Sequence, residues 1–180
     1  MKTRDLILTA FFAALTVIFA MISIPIPISP VPFSLAMVAI FLAGALLPKT
    51  HAAVAQIVYL LLGIIGLPVF SKFSGGLGVI AGPTGGYLIA YPIMAFLIAF
   101  IIEKSGKRNF IVYLLSMLCG LAVLYALGTL WLSVQANLPF AAALSAGVIP
   151  FVIPDIVKAV LASLLAMALY KVVGKKSLSK

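Results

Sequence analysis

Asp155 and Lys158 are the pair of side chains in this chain best placed to do chemistry. They stand three residues apart in PFVIPDIVKAVLA, inside a predominantly apolar stretch from 148 to 173. On a helix this spacing puts both side chains on one face, about 4.5 Å apart along the axis. Were that helix in lipid, each lone charge would cost about 2.5 to 3.5 kcal/mol, and the pair lowers this by partly neutralising itself. Two uses are open. The pair satisfies itself and pins the register of its helix, or it forms the polar floor of a pocket. Asp155 lies about 10 Å along the helix from Val148, near one end, and Pro150 and Pro154 free carbonyls in the same region.

Enzymatic chemistry is harder to assemble. His51 is the one histidine, Cys119 the one cysteine, and Asp5, Glu103 and Asp155 are the acids. No HExxH pair and no histidine-dependent triad is available. Five such residues, remote from one another, do not argue for a metal cluster. Gly174 to Ser177 echo the end of a phosphate-binding loop, but no glycine stands five positions before Gly174 and no strand precedes it, so no ATPase is expected in this chain.

The elements that must position the pair follow from composition. Of 180 residues, 65% are hydrophobic and 8% charged, against roughly 45 to 50% and 25% in soluble domains. That is too few charges for the polar shell of a soluble globule, which points to lipid as the solvent. The net charge of +9 falls between apolar segments and forms no basic stripe, so nucleic acid is not an expected partner. The reading is an all-α integral membrane protein, a single transmembrane domain over 1–180 with six transmembrane helices near 6–24, 33–47, 52–67, 84–102, 110–132 and 148–173. The second and third are short and separated only by Pro48 to His51.

Lys2, Arg4, Lys49, Lys104, Lys107, Arg108, Lys171, Lys175, Lys176 and Lys180 all fall on one side of this topology. They are ten of the 12 basic residues, so both termini are expected to be cytoplasmic. A cleaved signal peptide is not expected, because the first apolar stretch is long and runs into Pro25 without a small-residue cleavage site. Lys72 is the lone charge in the outer connections.

Two outer connections stand out. IPIPISPVP has prolines at 25, 27, 30 and 32, which forbid helix and favour a stiff extended segment across the end of the bundle. Between helices 3 and 4 lies a Gly-rich outer loop with Gly66, Gly75, Gly76, Gly78, Gly82, Gly85 and Gly86. Glycine allows tight turns and close approach to a ligand, while Phe70, Phe73 and Tyr87 offer flat apolar surfaces. This loop is either a plug or the wall of a binding pocket. Tyr125 and Trp131 read first as an aromatic belt, Cys119 as a packing residue, Glu103 and Lys104 as solvated charges and Gln56 as an interhelical hydrogen-bonding group. Ala10 and Ala14, four apart on the first helix, allow close helix packing, either internally or against another subunit.

GLPVFS followed by GGLGVIAGPTGGYL, together with PDIVK in the last span, resembles the signature of the BioY family, the biotin-binding S component of energy-coupling-factor (ECF) vitamin transporters. The pattern departs at Ala90 and Tyr91, where a glycine and a phenylalanine would be expected nearby. The resemblance implies a subunit of a bacterial or archaeal cell membrane. It would bind biotin as transported ligand, with no cofactor, and depend on a T subunit and two cytoplasmic ATPases for energy. With biotin as the ligand, the chain supplies complements: Asp155 is expected to accept from the ureido N–H groups and Lys158 to donate to the ureido carbonyl. Phe70, Phe73 and Tyr87 would cover the bicycle, backbone N–H groups from Gly82 through Thr84 to Gly86, or Lys72, would receive the tail carboxylate, and Ala10 and Ala14 would meet the T subunit.

The rival readings are a self-sufficient secondary carrier for biotin or another small vitamin, with the pair coupling transport to protons, and an integral-membrane enzyme or assembly factor. The first lacks a repeated half, and the second lacks a catalytic cluster.

Overall fold

The computed structural model of the chain describes residues 3–27 and 29–171. Lys2, Val173 and the stretch from Gly174 to Lys180, with its basic residues, lie outside the described residues. The elements are α1 (Thr3–Met21), β1 (Ser23–Ile24), β2 (Phe33–Ser34), α2 (Ala36–Leu46), α3 (Lys49–Ile64), α4 (Leu77–Ala81), α5 (Gly85–Ser105), α6 (Phe110–Gln135), α7 (Phe140–Gly147) and α8 (Ile149–Leu169), with a 3-10 turn at Ser71–Phe73. Among the described residues the architecture is all-helical apart from one small hairpin and an isolated β-bridge. Helices α1, α5, α6 and α8 are long and apolar enough to cross a membrane. Helices α2 and α3, with 11 and 16 residues, rise only about 16 and 24 Å, against a hydrocarbon core of about 30 Å.

Burial separates the helices. In α2 every residue but Val38 is buried, as an all-round apolar helix requires, and it packs against α1, α3, α5 and α8. By contrast, α3 buries one stripe, Ala52, Ala55, Gln56, Tyr59 and Gly63, and turns Val54, Ile57, Val58 and Leu61 outward. Helix α1 does the same with Thr9, Phe12, Ala13, Thr16 and Ala20 inside. Gln56 Nε2 donates to Thr16 Oγ1 across the α1–α3 contact at 3.3 Å.

The bundle end carrying most of the described basic residues is tied by polar contacts. Glu103 Oε1 accepts from the backbone N–H of Lys49 at 2.9 Å, satisfying the first turn of α3, and Glu103 Oε2 lies 3.4 Å from Lys49 Nζ. Arg108 donates to the carbonyl of Ala45 near the end of α2 at 3.2 Å and stacks over Tyr170, 4.3 Å from the ring centroid. Asn109 Oδ1 caps α6 by accepting from Val112 N–H. Glu103 is thus a helix-end partner as well as a boundary charge.

Several boundaries differ from the expected spans. Helix α1 stops at Met21, because Pro25 and Pro27 impose extended geometry on what precedes them. Ser23 and Ile24 instead pair antiparallel with Ser34 and Phe33, closing a hairpin around the proline segment. Helix α3 begins at Lys49, directly after Pro48, and ends before Gly66, whose φ of 100° breaks it. The Gly-rich connection is folded: Phe70 and Ser74 form a β-bridge, α4 follows, and Gly76 N–H donates back to Gly63 O at 2.7 Å. Cys119, expected to pack inside, is exposed on α6.

Close packing of α2, α5 and α6 depends on glycine. A Cβ on Gly44 would stand 2.8 Å from Ile98 Cβ and Cγ2 and 3.1 Å from the Ala95 carbonyl. Gly44→Val is therefore expected to destabilise the bundle by about 1 to 3 kcal/mol, whereas Gly78→Ala in α4, with nothing within 4 Å, leaves the thermal unfolding midpoint in detergent unchanged or slightly raised. Equal midpoints for the two variants would contradict this packing.

Candidate functional site

The Asp155–Lys158 pair is buried. Asp155 is 3% and Lys158 6% exposed, with Lys158 Nζ 2.8 Å from Asp155 Oδ1. The helix spacing delivers this contact, but two further elements complete it. From α6, Tyr125 Oη donates to Asp155 Oδ2 at 2.7 Å. From β2, the Ser34 carbonyl accepts from Lys158 Nζ at 2.8 Å, and the Phe33 ring lies beneath the ammonium, 3.7 Å from Nζ to the centroid. The lysine has three donors; two are engaged by oxygens, and the cation rests on an aromatic face. The carboxylate, with about four lone-pair sites and two donors, retains acceptor capacity.

Two adjoining cavities lie over this network. The inner one, about 40 Å³, is walled by Asp155, Lys158, Tyr125, Phe151, Met37 and Leu124. The outer one, about 180 Å³, lies between the proline segment (Pro30, Val31, Pro32), the loop residues Phe70, Ser71, Lys72 and Ser74, and Thr84 and Leu88 at the start of α5. Val31, Pro32, Ser34, Tyr87 and Tyr91 border both. Lys72 supplies the charged side chain on the outer wall and is exposed. The cavities lie at the end of the bundle opposite the Lys49–Glu103 and Arg108–Ala45 ties, since α2, α3 and α5 each run from one end to the other.

The walls are held by fitted contacts. Phe70 is 1% exposed and lies over Gly63 of α3, where any Cβ would fall inside its ring. It meets Tyr59 edge-on at 5.5 Å, and Tyr59 stacks on Tyr91 at 6.3 Å. Tyr87 Oη donates to the Gly147 carbonyl at 3.0 Å, fixing the corner between α7 and α8. The two covering segments also touch each other, because Lys72 N–H donates to Ser23 Oγ at 3.1 Å.

Of the residues expected from sequence, Asp155, Lys158, Tyr87, Thr84, Phe70 and Lys72 line these cavities. Three expected residues do not. Phe73 is 66% exposed, turned away by the positive φ angles of Lys72 and Phe73. Gly82 uses its carbonyl to accept from Trp131 Nε1 at 2.9 Å. Gly86 faces α6, where Trp131 fills the place a side chain would take. Lys158, expected to donate to a ligand, directs two of its three donors to Asp155 and Ser34. Trp131 is an anchor for the start of α5 as well as an aromatic near the bundle end. Sequence reasoning did not assign Tyr91, Tyr125, Ser34, Phe33 or the proline segment to the site. The four prolines marked that segment as a cover, while nothing local links Tyr125 to a residue 30 positions away. Ala10 and Ala14 are exposed on the outer face of α1, so internal packing does not account for them.

A family model for the BioY family matches residues 1–175. The chain is 44% identical over 168 residues to the biotin transporter BioY of Thermotoga maritima, spanning 93% of this chain and 96% of that protein. It is 41% identical over 166 residues to the probable biotin transporter BioY of Pyrococcus horikoshii, spanning 92% and 96%. Its fold is similar to a crystal structure of the S-component for biotin from an ECF-type ABC transporter, with a TM-score of 0.88 and 33% identity over 94% of this chain and 92% of that one.

The different fates of Phe70 and Phe73 are testable. Phe70→Ala empties a filled site above Gly63 and is expected to lower stability by about 3 kcal/mol or more, while Phe73→Ala, on the surface, changes it by less than about 0.5 kcal/mol. Thermal unfolding in detergent measures both, and comparable losses would place Phe73 inside the fold.

Proposed function

The chain belongs to the BioY family, and from that premise we propose that it is the biotin-binding membrane subunit, the S component, of an ECF-type transporter: a transport subunit and not an enzyme. The observation that carries the reading is the buried Asp155 carboxylate, with acceptor capacity left over, beneath a covered and largely apolar cavity in a lipid-facing bundle. Biotin has a cyclic urea with two N–H donors, an apolar thioether bicycle and a carboxylate on a flexible tail. The urea suits Asp155, the bicycle suits the faces of Phe70, Tyr87 and Tyr91, and the tail reaches the outer wall, where Lys72 and the backbone near Thr84 offer positive charge and N–H donors. Asp155 and Lys158 are buried, and burial strengthens charge-assisted hydrogen bonds.

In this reading the chain is one transmembrane domain in which α1, α2, α3, α5, α6 and α8 cross the membrane, while α4 and α7 cover the outer end. The bias of Lys and Arg toward one side supports cytoplasmic termini and an outward-facing cavity. Relatives from a bacterium and an archaeon support a cell-membrane location in either. A T subunit and two ATPases provide the energy, and the T subunit packs on the exposed small-residue strip of α1 at Ala10 and Ala14.

Equilibrium binding of labelled biotin to the purified chain in detergent tests the assignment. A nanomolar dissociation constant is expected, about −11 to −12 kcal/mol; micromolar or absent binding would overturn it. Asp155→Asn and Lys158→Met should each weaken binding by about 2 to 4 kcal/mol, because each leaves a buried partner unmatched. A double variant that binds normally would reduce the pair to a structural role.

Docking is separable from binding. Ala10→Trp and Ala14→Trp should bind biotin normally yet fail to co-purify with the T and ATPase subunits, and cells depending on them should lose uptake. Variants that assemble and transport normally would move the docking face elsewhere.

A further inference from the structure

We propose that Tyr125 is a positioning residue for the ligand site, acting through Asp155 by fixing the plane of its carboxylate. The proposal rests on the reading of the chain as a biotin-binding subunit. Asp155 and Lys158 share α8, so their ion pair turns with that helix and restrains one carboxylate oxygen only. The terminal torsion of an aspartate is broad, and an ammonium, as a compact point charge, sets direction weakly. Tyr125 comes from α6, and its 2.7 Å hydrogen bond reaches the other oxygen. With one donor on each oxygen from two different helices, rotation of the carboxylate is blocked. The remaining lone pairs form a fork of two acceptors fixed relative to the inner cavity, which Asp155 and Tyr125 both line.

The same geometry says what Tyr125 does not do. Its single hydroxyl proton is engaged by Asp155, so it has none to donate to a ligand. Nor is Tyr87 a substitute, since its hydroxyl donates to the Gly147 carbonyl. Loss of the Tyr125 hydroxyl therefore leaves the ion pair in place but frees the carboxylate plane. A ligand carrying two N–H groups in one ring then meets a rotating acceptor.

Tyr125→Phe keeps the ring and removes the hydroxyl. Biotin affinity is expected to fall about tenfold, and in the Asp155→Asn background the same change is expected to have no further effect, because contacting residues that act as a unit are non-additive. A ligand-independent measurement accompanies this. The chain has only 3 acidic side chains, so the infrared carboxylate stretch of Asp155, isolated by subtracting the Asp155→Asn spectrum, can be followed directly, and it should shift in Tyr125→Phe. An unmoved band, wild-type affinity in Tyr125→Phe, or an undiminished loss in the Asp155→Asn background would each overturn the proposal. A wild-type chain that fails to bind biotin overturns the functional reading and this one with it, a result distinct from an unmoved band in a chain that binds.

Discussion

A carboxylate and an ammonium buried inside an apolar helical bundle impose conditions on everything around them. Each would cost about 2.5 to 3.5 kcal/mol alone at the centre of a bilayer, and a pair without further hydrogen bonds leaves lone pairs and protons unmatched. Asp155 and Lys158 are matched by a phenol from α6 and a carbonyl from β2. The hairpin that supplies Ser34 must therefore fold back over α8, and Phe33 comes with it under the ammonium. The proline segment, which has few N–H donors to satisfy, closes that hairpin and becomes a wall of the cavity. Fold and candidate site share one network, so the end of the bundle that holds the cavities is also the end whose polar groups most need one another.

Elsewhere the bundle holds by contact at short range. Lipid tails are as apolar as leucine, so helices in a bilayer associate through packing and not through exclusion of water. The glycines lie where this matters. Gly44 and Gly120 receive Ile98, Gly63 receives Phe70, Gly128 receives Tyr87, and Gly86 receives Trp131. Three of these partners belong to the site or brace it. The small residues of α3, α5 and α6 thus seat the aromatic walls against the helices behind them, and the cavity inherits its shape from helix packing.

The parts of this arrangement legible in the sequence are those set by short-range rules. An i, i+3 spacing places Asp155 and Lys158 together whatever surrounds them, and four prolines forbid helix, whereas the expected third span ran on through Gly66, where the helix stops. Apolar stretches and basic flanks mark the helices. What escaped depends on the third dimension. Tyr125 and Trp131 share an amphipathic character with any membrane-interface aromatic, and only the packing of α6 against α8 and α5 gives their polar atoms particular partners. Phe70 and Phe73 are alike in sequence; the positive φ angles of Lys72 and of Phe73 itself send one inward and the other out. Gly82 and Gly86 have a composition suited to ligand approach, but Trp131 occupies that approach. Helix ends shifted by a few residues for local reasons, as where strand pairing claimed Ser23 and Ile24.

The shortness of α2 bears on how the molecule is made. A segment rising about 16 Å cannot stand alone across about 30 Å of hydrocarbon, and its termini would leave backbone groups bare in lipid. Its cover comes from α1, which precedes it, but also from α5 and α8, which leave the ribosome long afterwards. For α2, insertion and tertiary assembly are therefore not successive stages. If α2 crosses the bilayer, its cover is complete only once α5 and α8 have been made. Biogenesis of this chain then depends on completing translation before the second helix is secure, so a nascent chain stalled after α3 would present the insertion machinery with a half-committed segment.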